Sequence, residues 1–267
     1  MRRVLFATTG WIHAPKAALA AGIFGKIRIP IVVAICERDD GSIWLVDAGF
    51  SKQVCEDPRS ALGFLQGRTI AASLQPHDAL VSQMRAAAIN PDRVTTILAT
   101  HLHLDHISGC ADFPNAELIT THDELTFARR AGSLLGYRLQ DLDVINRIRL
   151  VSLASDEILG FAKSFRFDDE IAALDARGHS RGHLAVVIRH GEQTYLHAGD
   201  AAYQSADYRD NVISPLARLV AQDKAALHRT YDLLRQCENL PRPPLIVLSH
   251  DASSFERLPT VSRLLSP

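Results

Sequence analysis

Four potential metal ligands fall within six residues at His101-Leu102-His103-Leu104-Asp105-His106. A stretch so dense in imidazole and carboxylate constrains the fold around it, because each polar group that is buried needs a partner. It follows Val94-Thr95-Thr96-Ile97-Leu98-Ala99-Thr100, a run that reads as a buried strand. Side chains of an extended segment alternate faces, which predicts His101, His103 and Asp105 on one side and Leu102 and Leu104 toward the core. A turn at His106 breaks the alternation and swings that ring toward a neighbouring position, so one segment can feed two metal ions. Three imidazoles and a carboxylate suit zinc or a similar first-row metal better than calcium or magnesium.

The rest of the chain reads as an ordinary globular protein, with 47% apolar and 22% charged residues over 267 positions. Its 29 Lys and Arg nearly balance 30 Asp and Glu, so overall charge makes no case for nucleic acid or an acidic membrane surface. Cys36, Cys55, Cys110 and Cys237 are scattered, without a C-x-x-C pair. That favours reduced thiols and a cytoplasmic protein over a disulfide scaffold. Cys110, close to the histidine motif, reads as a small, partly buried residue. The opening Met1-Arg2-Arg3-Val4-Leu5-Phe6 has the charge-then-apolar order of an export signal. Thr8, Thr9, Gly10, His13, Pro15 and Lys16 interrupt it, which disfavours export. The longest apolar run, Ile29 to Cys36, is too short to span a bilayer.

Periodicity gives an outline of α/β layering. Residues 31–36 and 43–46 read as a hairpin around Asp39-Asp40-Gly41-Ser42. Asp47 follows, either as a residue supporting a metal ligand or as a turn carboxylate. Residues 51–77, punctuated by Pro and Gly, read as a long loop that carries Phe64, Leu65 and Ile70. An apolar stripe predicts a helix from Asp78 to Ile89. Residues 116–120 read as a strand, 123–130 as a helix, and 133–149 as a further helix. Strands are expected at 171–174, 184–188, 194–196 and 245–248, with a helix over 222–239 and a closing helix over 255–265. No repeat or linker is visible, so a single domain over residues 1–267 is expected.

Strands end just before His101, before His179, before Asp200 and before His250. Ligands of layered α/β proteins gather where loops leave such strand ends, so four separate segments converge on one expected site. His13, His77, His122, His190 and His228 lack that setting. His183 reads as a structural loop residue and His197 as a strand-end residue.

The ordered set H-x-H-x-D-H, G-H, G-D and S-H, spanning about residues 31–251, resembles the metallo-β-lactamase-fold hydrolases. That resemblance implies an αβ/βα four-layer sandwich with a dinuclear site at one edge. It assigns one metal to His101, His103 and His179, the other to Asp105, His106 and His250, and the bridge between them to Asp200. Two divalent ions are implied, zinc first, with iron, cobalt or manganese able to occupy the same ligands. Class B β-lactamases typically carry Cys where this chain has Asp200, which disfavours β-lactamase activity.

Gly178-His179-Ser180-Arg181-Gly182-His183, Asp200 with Tyr203 three residues later, and His250-Asp251 resemble the N-acyl-homoserine lactone lactonases. The reaction so implied is opening of a lactone by a metal-bridging hydroxide, on a small ester or lactone substrate. Tyr203 would donate to the developing oxyanion, unless it is an ordinary amphipathic loop residue. Asp105 would pass a proton to the leaving alkoxide, and the acyl tail would lie against Phe64, Leu65 and Ile70. The same ligand set also fits a thioesterase of the glyoxalase II kind, a phosphodiesterase or a mono-iron persulfide dioxygenase. No stretch marks an oligomer interface.

Overall fold

The computed structural model describes residues 1–19, 24–59, 61, 74–132 and 136–265. Its strands form two sheets. The first runs in the order β1 (Arg3–Pro15), β2 (Lys26–Glu37), β3 (Ile43–Val46), β4 (Val94–Leu98), β5 (Glu117–Thr121) and β6 (Ile148–Val151). Pairing is antiparallel from β1 to β3 and parallel from β3 to β6. The second sheet is β11 (Leu245–Leu248), β10 (Gln193–Gly199), β9 (Leu184–His190), β8 (Ile171–Asp175) and β7 (Ser164–Arg166). Only its β10–β11 pair is parallel.

Helices fill the parallel crossovers, as such connections require. They are α1 (Lys52–Glu56) and α2 (Leu80–Ala86) between β3 and β4, then α3 (Leu104–Ile107), then α4 (His122–Ala131) and α5 (Leu139–Asp143). Between β10 and β11 lie α6 (Ser205–Asp210), α7 (Pro215–Val220) and α8 (Lys224–Glu238), and α9 (Ala252–Phe255) and α10 (Val261–Leu265) follow.

Side-chain alternation explains the layering. In β8, Ile171 and Ala173 face a cluster shared with Phe6, Val32, Ala34, Val46 and Leu98 of the other sheet. Ala172 and Leu174 face the opposite way, where Leu227, Tyr231 and Leu234 of α8 cover them. On the far side, Ile31, Val33 and Ile35 of β2 pack in one cluster with Leu80, Val81 and Met84 of α2. The order is helices, sheet, sheet, helices: the αβ/βα four-layer sandwich. Strands buried on both faces carry near-continuous apolar runs, which is why strands such as β2, β9 and β11 stand out in the sequence.

Several elements differ from the sequence expectation. Residues 3–15, whose signal-like opening gives no strand expectation, form β1; its pairing with β2 shifts between Thr8 and Trp11, with Gly10 at φ +127. Residues 139–143 are a short helix, but 148–151 form strand β6, so a single helix through 149 is wrong. The closing helix is two short ones, α9 and α10, and the helix expected over 78–89 is a tight turn at Pro76–Asp78 followed by α2. Phe64, Leu65 and Ile70 lie outside the described residues. No helix among the described residues is long and apolar enough to cross a membrane.

Candidate metal centre

All seven candidate ligands meet at one edge of the sandwich, delivered by the segments after β4, β8, β10 and β11. They form two groups: His101, His103, His179 and Asp200, and then Asp105, His106 and His250. The route differs from simple alternation. The extended chain ends at His103, which precedes the short helix α3, so Asp105 and His106 project from the first turn of a helix. Leu102 and Leu104 are still buried.

In the first group His103 Nδ1 lies 2.9 Å from His101 Nε2 and 3.1 Å from His179 Nε2. Asp200 Oδ2 lies 3.5 Å from His179 Nε2 and 3.9 Å from His101 Nε2. In the second, His106 Nε2 is 3.3 Å from Asp200 Oδ1 and 3.7 Å from Asp105 Oδ2. His250 Nε2 is 3.3 Å from Asp200 Oδ2 and 3.6 Å from Asp105 Oδ2. Tetrahedral ligands bonded to zinc at about 2.0–2.1 Å stand about 3.4 Å apart, and these separations bracket that value. Asp200 turns one oxygen toward His106 and the other toward His101, His179 and His250, so it faces both groups.

Hydrogen bonding fits the same occupant. His106 Nε2 and Asp200 Oδ1 are buried and close, yet neither has a hydrogen-bond partner among the described residues. His103 Nε2 and His179 Nδ1 are also buried without one, but they are the ring nitrogens turned away from the focus. Unsatisfied buried groups of this density are costly. A cation at the focus of each group would satisfy the inward-facing atoms, and the imidazole and carboxylate donors are those that a first-row divalent metal prefers.

The surroundings fix which ring nitrogen faces inward. Asp47 is buried at the end of β3, at φ +59. Its Oδ1 accepts from Thr100 N at 2.7 Å; its Oδ2 accepts from the Thr100 hydroxyl at 2.8 Å and from His106 Nδ1 at 2.7 Å. Thr100 has spent its only hydroxyl proton on Asp47, so its oxygen accepts from His101 Nδ1 at 3.1 Å. The Pro30 carbonyl accepts from His250 Nδ1 at 2.8 Å. In His101, His106 and His250 the proton therefore sits on Nδ1, and the Nε2 lone pair faces the site, the usual arrangement around metal-binding histidines. Asp47 thus supports a ligand, the first of the two roles its sequence position allowed.

Burial pulls His101 and His179 well below the ordinary histidine range, and His103 down to about 4. These three rings are neutral, the form that binds metal. Burial acts the same way on His106 and His250, but the carboxylates around them outweigh it, Asp200 first, and hold both up. The second group therefore calls for positive charge, which a divalent cation would supply in place of protons. Burial opposes ionisation of Asp200, yet His250 and His106 hold it well below the usual carboxylate range.

Tyr203 is buried beside both groups, its ring edge-on to His250 with centroids 5.2 Å apart, and 5.9 Å from His179. His183 is buried, and its Nε2 accepts from Asp200 N at 3.2 Å, so this loop residue helps to seat the bridge candidate. Gly199 allows that approach. It sits at φ +54, and a Cβ there would stand 2.8 Å from the Thr100 side chain and 2.9 Å from His183 Nε2. His197 is buried in β10 with Nε2 3.3 Å from the Val32 carbonyl. His13, His77 and His122 are exposed and His190 and His228 half-buried, all apart from the two groups. All four cysteines are free and buried, and burial pushes the Cys110 thiol up. Glu124, which periodicity places only on a helix, is buried against both ligand loops of the first group.

The family profile described as the metallo-beta-lactamase superfamily matches residues 32–250. The chain belongs to that superfamily. It is 36% identical over 179 residues to a probable metallo-hydrolase of Mycobacterium tuberculosis, a match covering 64% of this chain and 56% of that relative's length. It is 26% identical over 182 residues to the N-acyl homoserine lactonase AttM of Rhizobium johnstonii, covering 66% of each. To the N-acyl homoserine lactonase AiiA of Bacillus thuringiensis subsp. kurstaki it is 25% identical over 191 residues, 70% of each. Among solved structures, an N-acyl homoserine lactone hydrolase with N-hexanoyl-L-homoserine at its catalytic metal center superposes with a TM-score of 0.77 at 19% identity, covering 96% of this chain and 95% of that one. The dizinc lactonase AidC does so with 0.69 at 15%, covering 93% and 87%. At those identities the superpositions speak for the fold alone. In a fold of this superfamily, the two His/Asp groups form a site able to hold metal ions.

Proposed function

We propose that this protein opens the lactone ring of N-acyl-homoserine lactones at a dinuclear metal centre. The observation that carries the reading is the place of Tyr203, beside one histidine of each ligand group. The lactonase relatives support it, through the functions their names state. His101, His103 and His179 would hold one ion, Asp105, His106 and His250 the other, and Asp200 would bridge them. Lewis-acid activation of water and of the ester carbonyl is what two bound divalent ions would supply.

The protein's own groups do the rest. Burial, with the nearby Asp200 and Asp105 carboxylates, pushes the Tyr203 phenol well above its ordinary range. Burial is the larger cause, so the phenol keeps its proton and serves as a donor to the oxygen on which charge develops. Asp105, with 18% of its side chain exposed, is the ligand candidate best placed to pass a proton to the leaving alkoxide. Tyr203 belongs to an apolar cluster continued by the half-buried Ile12, Ile27 and Leu216, against which an acyl tail can lie.

The test is a proton-release assay of metal-quantified protein on lactones of varied acyl length, with a thioester and a phosphodiester alongside. Fast, chelator-sensitive lactone opening is expected. A fully metallated protein that turns over the thioester or phosphodiester but no lactone refutes the substrate assignment and leaves the dinuclear centre standing.

A further inference from the structure

Helix α4 begins Thr121-His122-Asp123-Glu124. That order marks a capping box, in which the glutamate turns back to the backbone N–H of the capping residue. Thr121 plays its part, its Oγ accepting from Glu124 N at 3.2 Å. The Glu124 carboxylate goes elsewhere. It is buried; Oε1 accepts from Leu102 N and from the Tyr137 hydroxyl, each at 3.0 Å. Oε2 accepts from the Ser180 hydroxyl at 2.6 Å and from Gly182 N at 3.0 Å.

These four donors surround one ligand group. Leu102 separates His101 from His103. Ser180 and Gly182 follow His179. The Tyr137 ring stands edge-on to His103, centroids 4.6 Å apart. An ionised carboxylate offers about four acceptor sites, and all are used on these segments. Among the described residues no hydrogen bond runs from Glu124 to Asp105, His106 or His250 or to their chain neighbours. The His106 and His250 rings are oriented instead by Asp47 and the Pro30 carbonyl.

We propose that Glu124 is a positioning residue for one of the two metals, the ion of His101, His103 and His179, and not for the other. The proposal rests on the two-metal assignment under Proposed function. Two backbone N–H groups and two hydroxyls from three separate segments share one carboxylate, so its removal frees the His101–His103 loop from the His179 loop. The second group keeps its own supports.

The experiment titrates zinc into metal-free protein and follows ions bound per chain together with histidine ring 15N shifts, in the wild type, Glu124→Ala and Glu124→Gln. Wild type is expected to bind two ions and shift all five ligand imidazoles; fewer than two would refute the two-metal assignment itself. In Glu124→Ala the first-group ion is expected to bind about 10- to 100-fold more weakly, the range for removing a ligand's supporting partner. His106 and His250 are expected to shift at the wild-type zinc concentration. Glu124→Gln, whose amide has one acceptor oxygen and two N–H donors, is expected to fall between the two. It also carries the test should the alanine variant fail to fold. With wild type binding two ions, equal weakening at both sites in a folded variant, or no weakening at either, overturns the proposal.

Discussion

Replacing Asp47 with Ala probes how the two ligand groups are tied together. One carboxylate there takes three donors: Thr100 N, the Thr100 hydroxyl and His106 Nδ1. Through Thr100 it also sets His101 Nδ1. Without it, His106 loses the bond that fixes its proton on Nδ1, and the Thr100 hydroxyl loses the acceptor that keeps its oxygen turned to His101 Nδ1. Each lost support is worth about 10- to 100-fold in metal affinity, or about 1.4 to 2.7 kcal/mol. One ligand of each group is affected, so both ions are expected to bind more weakly, in contrast to the single ion expected from Glu124. The φ of +59 at Asp47 adds about 1–2 kcal/mol of backbone strain for alanine, a cost that appears in metal-free stability. Asp47→Asn separates the two effects, because asparagine tolerates that conformation and keeps one acceptor oxygen. Chelator-competition titration with zinc, alongside urea unfolding of the metal-free protein, reads both quantities. A folded Asp47→Ala variant that binds both ions within about twofold of the wild-type affinity would refute the argument, since a loss of at least tenfold is required.

Asp200→Ala is expected to lose metal and activity together; retention of both ions with full turnover removes Asp200 from the bridge. Tyr203→Phe is expected to keep both metals but lower kcat on lactones by about tenfold to a thousandfold, and an unchanged rate leaves Tyr203 a packing residue only. Burial pushes the Asp112 carboxyl from 3.8 up to about 6. The native protein therefore holds that proton to higher pH than the unfolded chain does. Ionisation subtracts stability progressively between about pH 4 and pH 6, and fully above that. Asp112→Asn, which keeps an acceptor for Lys52 N, is expected to be more stable at pH 7 by up to about 1 kcal/mol, after discounting for solvent screening. In urea melts that gain is expected to shrink toward zero at pH 4, and a gain independent of pH contradicts the cause given.

The four ligand-bearing segments were legible because strands buried on both faces carry unmistakable apolar runs, and each ends at a histidine or aspartate. The helical turn at Leu104–Ile107 was not. Leu102 and Leu104 are buried in either conformation, so the pattern cannot tell a strand's continuation from the start of a helix. β1 was hidden by Thr8-Thr9-Gly10, which looks like a polar interruption and is a local break in the β1–β2 register. β6 is an edge strand with Arg149 and Leu150 exposed, and it lacks the apolar signal of a buried strand. Asp47 was ambiguous because its partners lie 53 and 59 residues away, beyond any local pattern. Glu124 was disguised by a capping-box sequence whose glutamate serves the ligand loops.

The most direct test of the central claim is the number of metal ions per chain after loading and gel filtration, measured by elemental analysis against protein concentration. Two divalent ions per chain are expected, with Asp200→Ala falling below two. One ion per chain, iron above all, with Asp105, His106 and His250 replaceable at no cost in metal content, would contradict the dinuclear centre on which the proposed function stands.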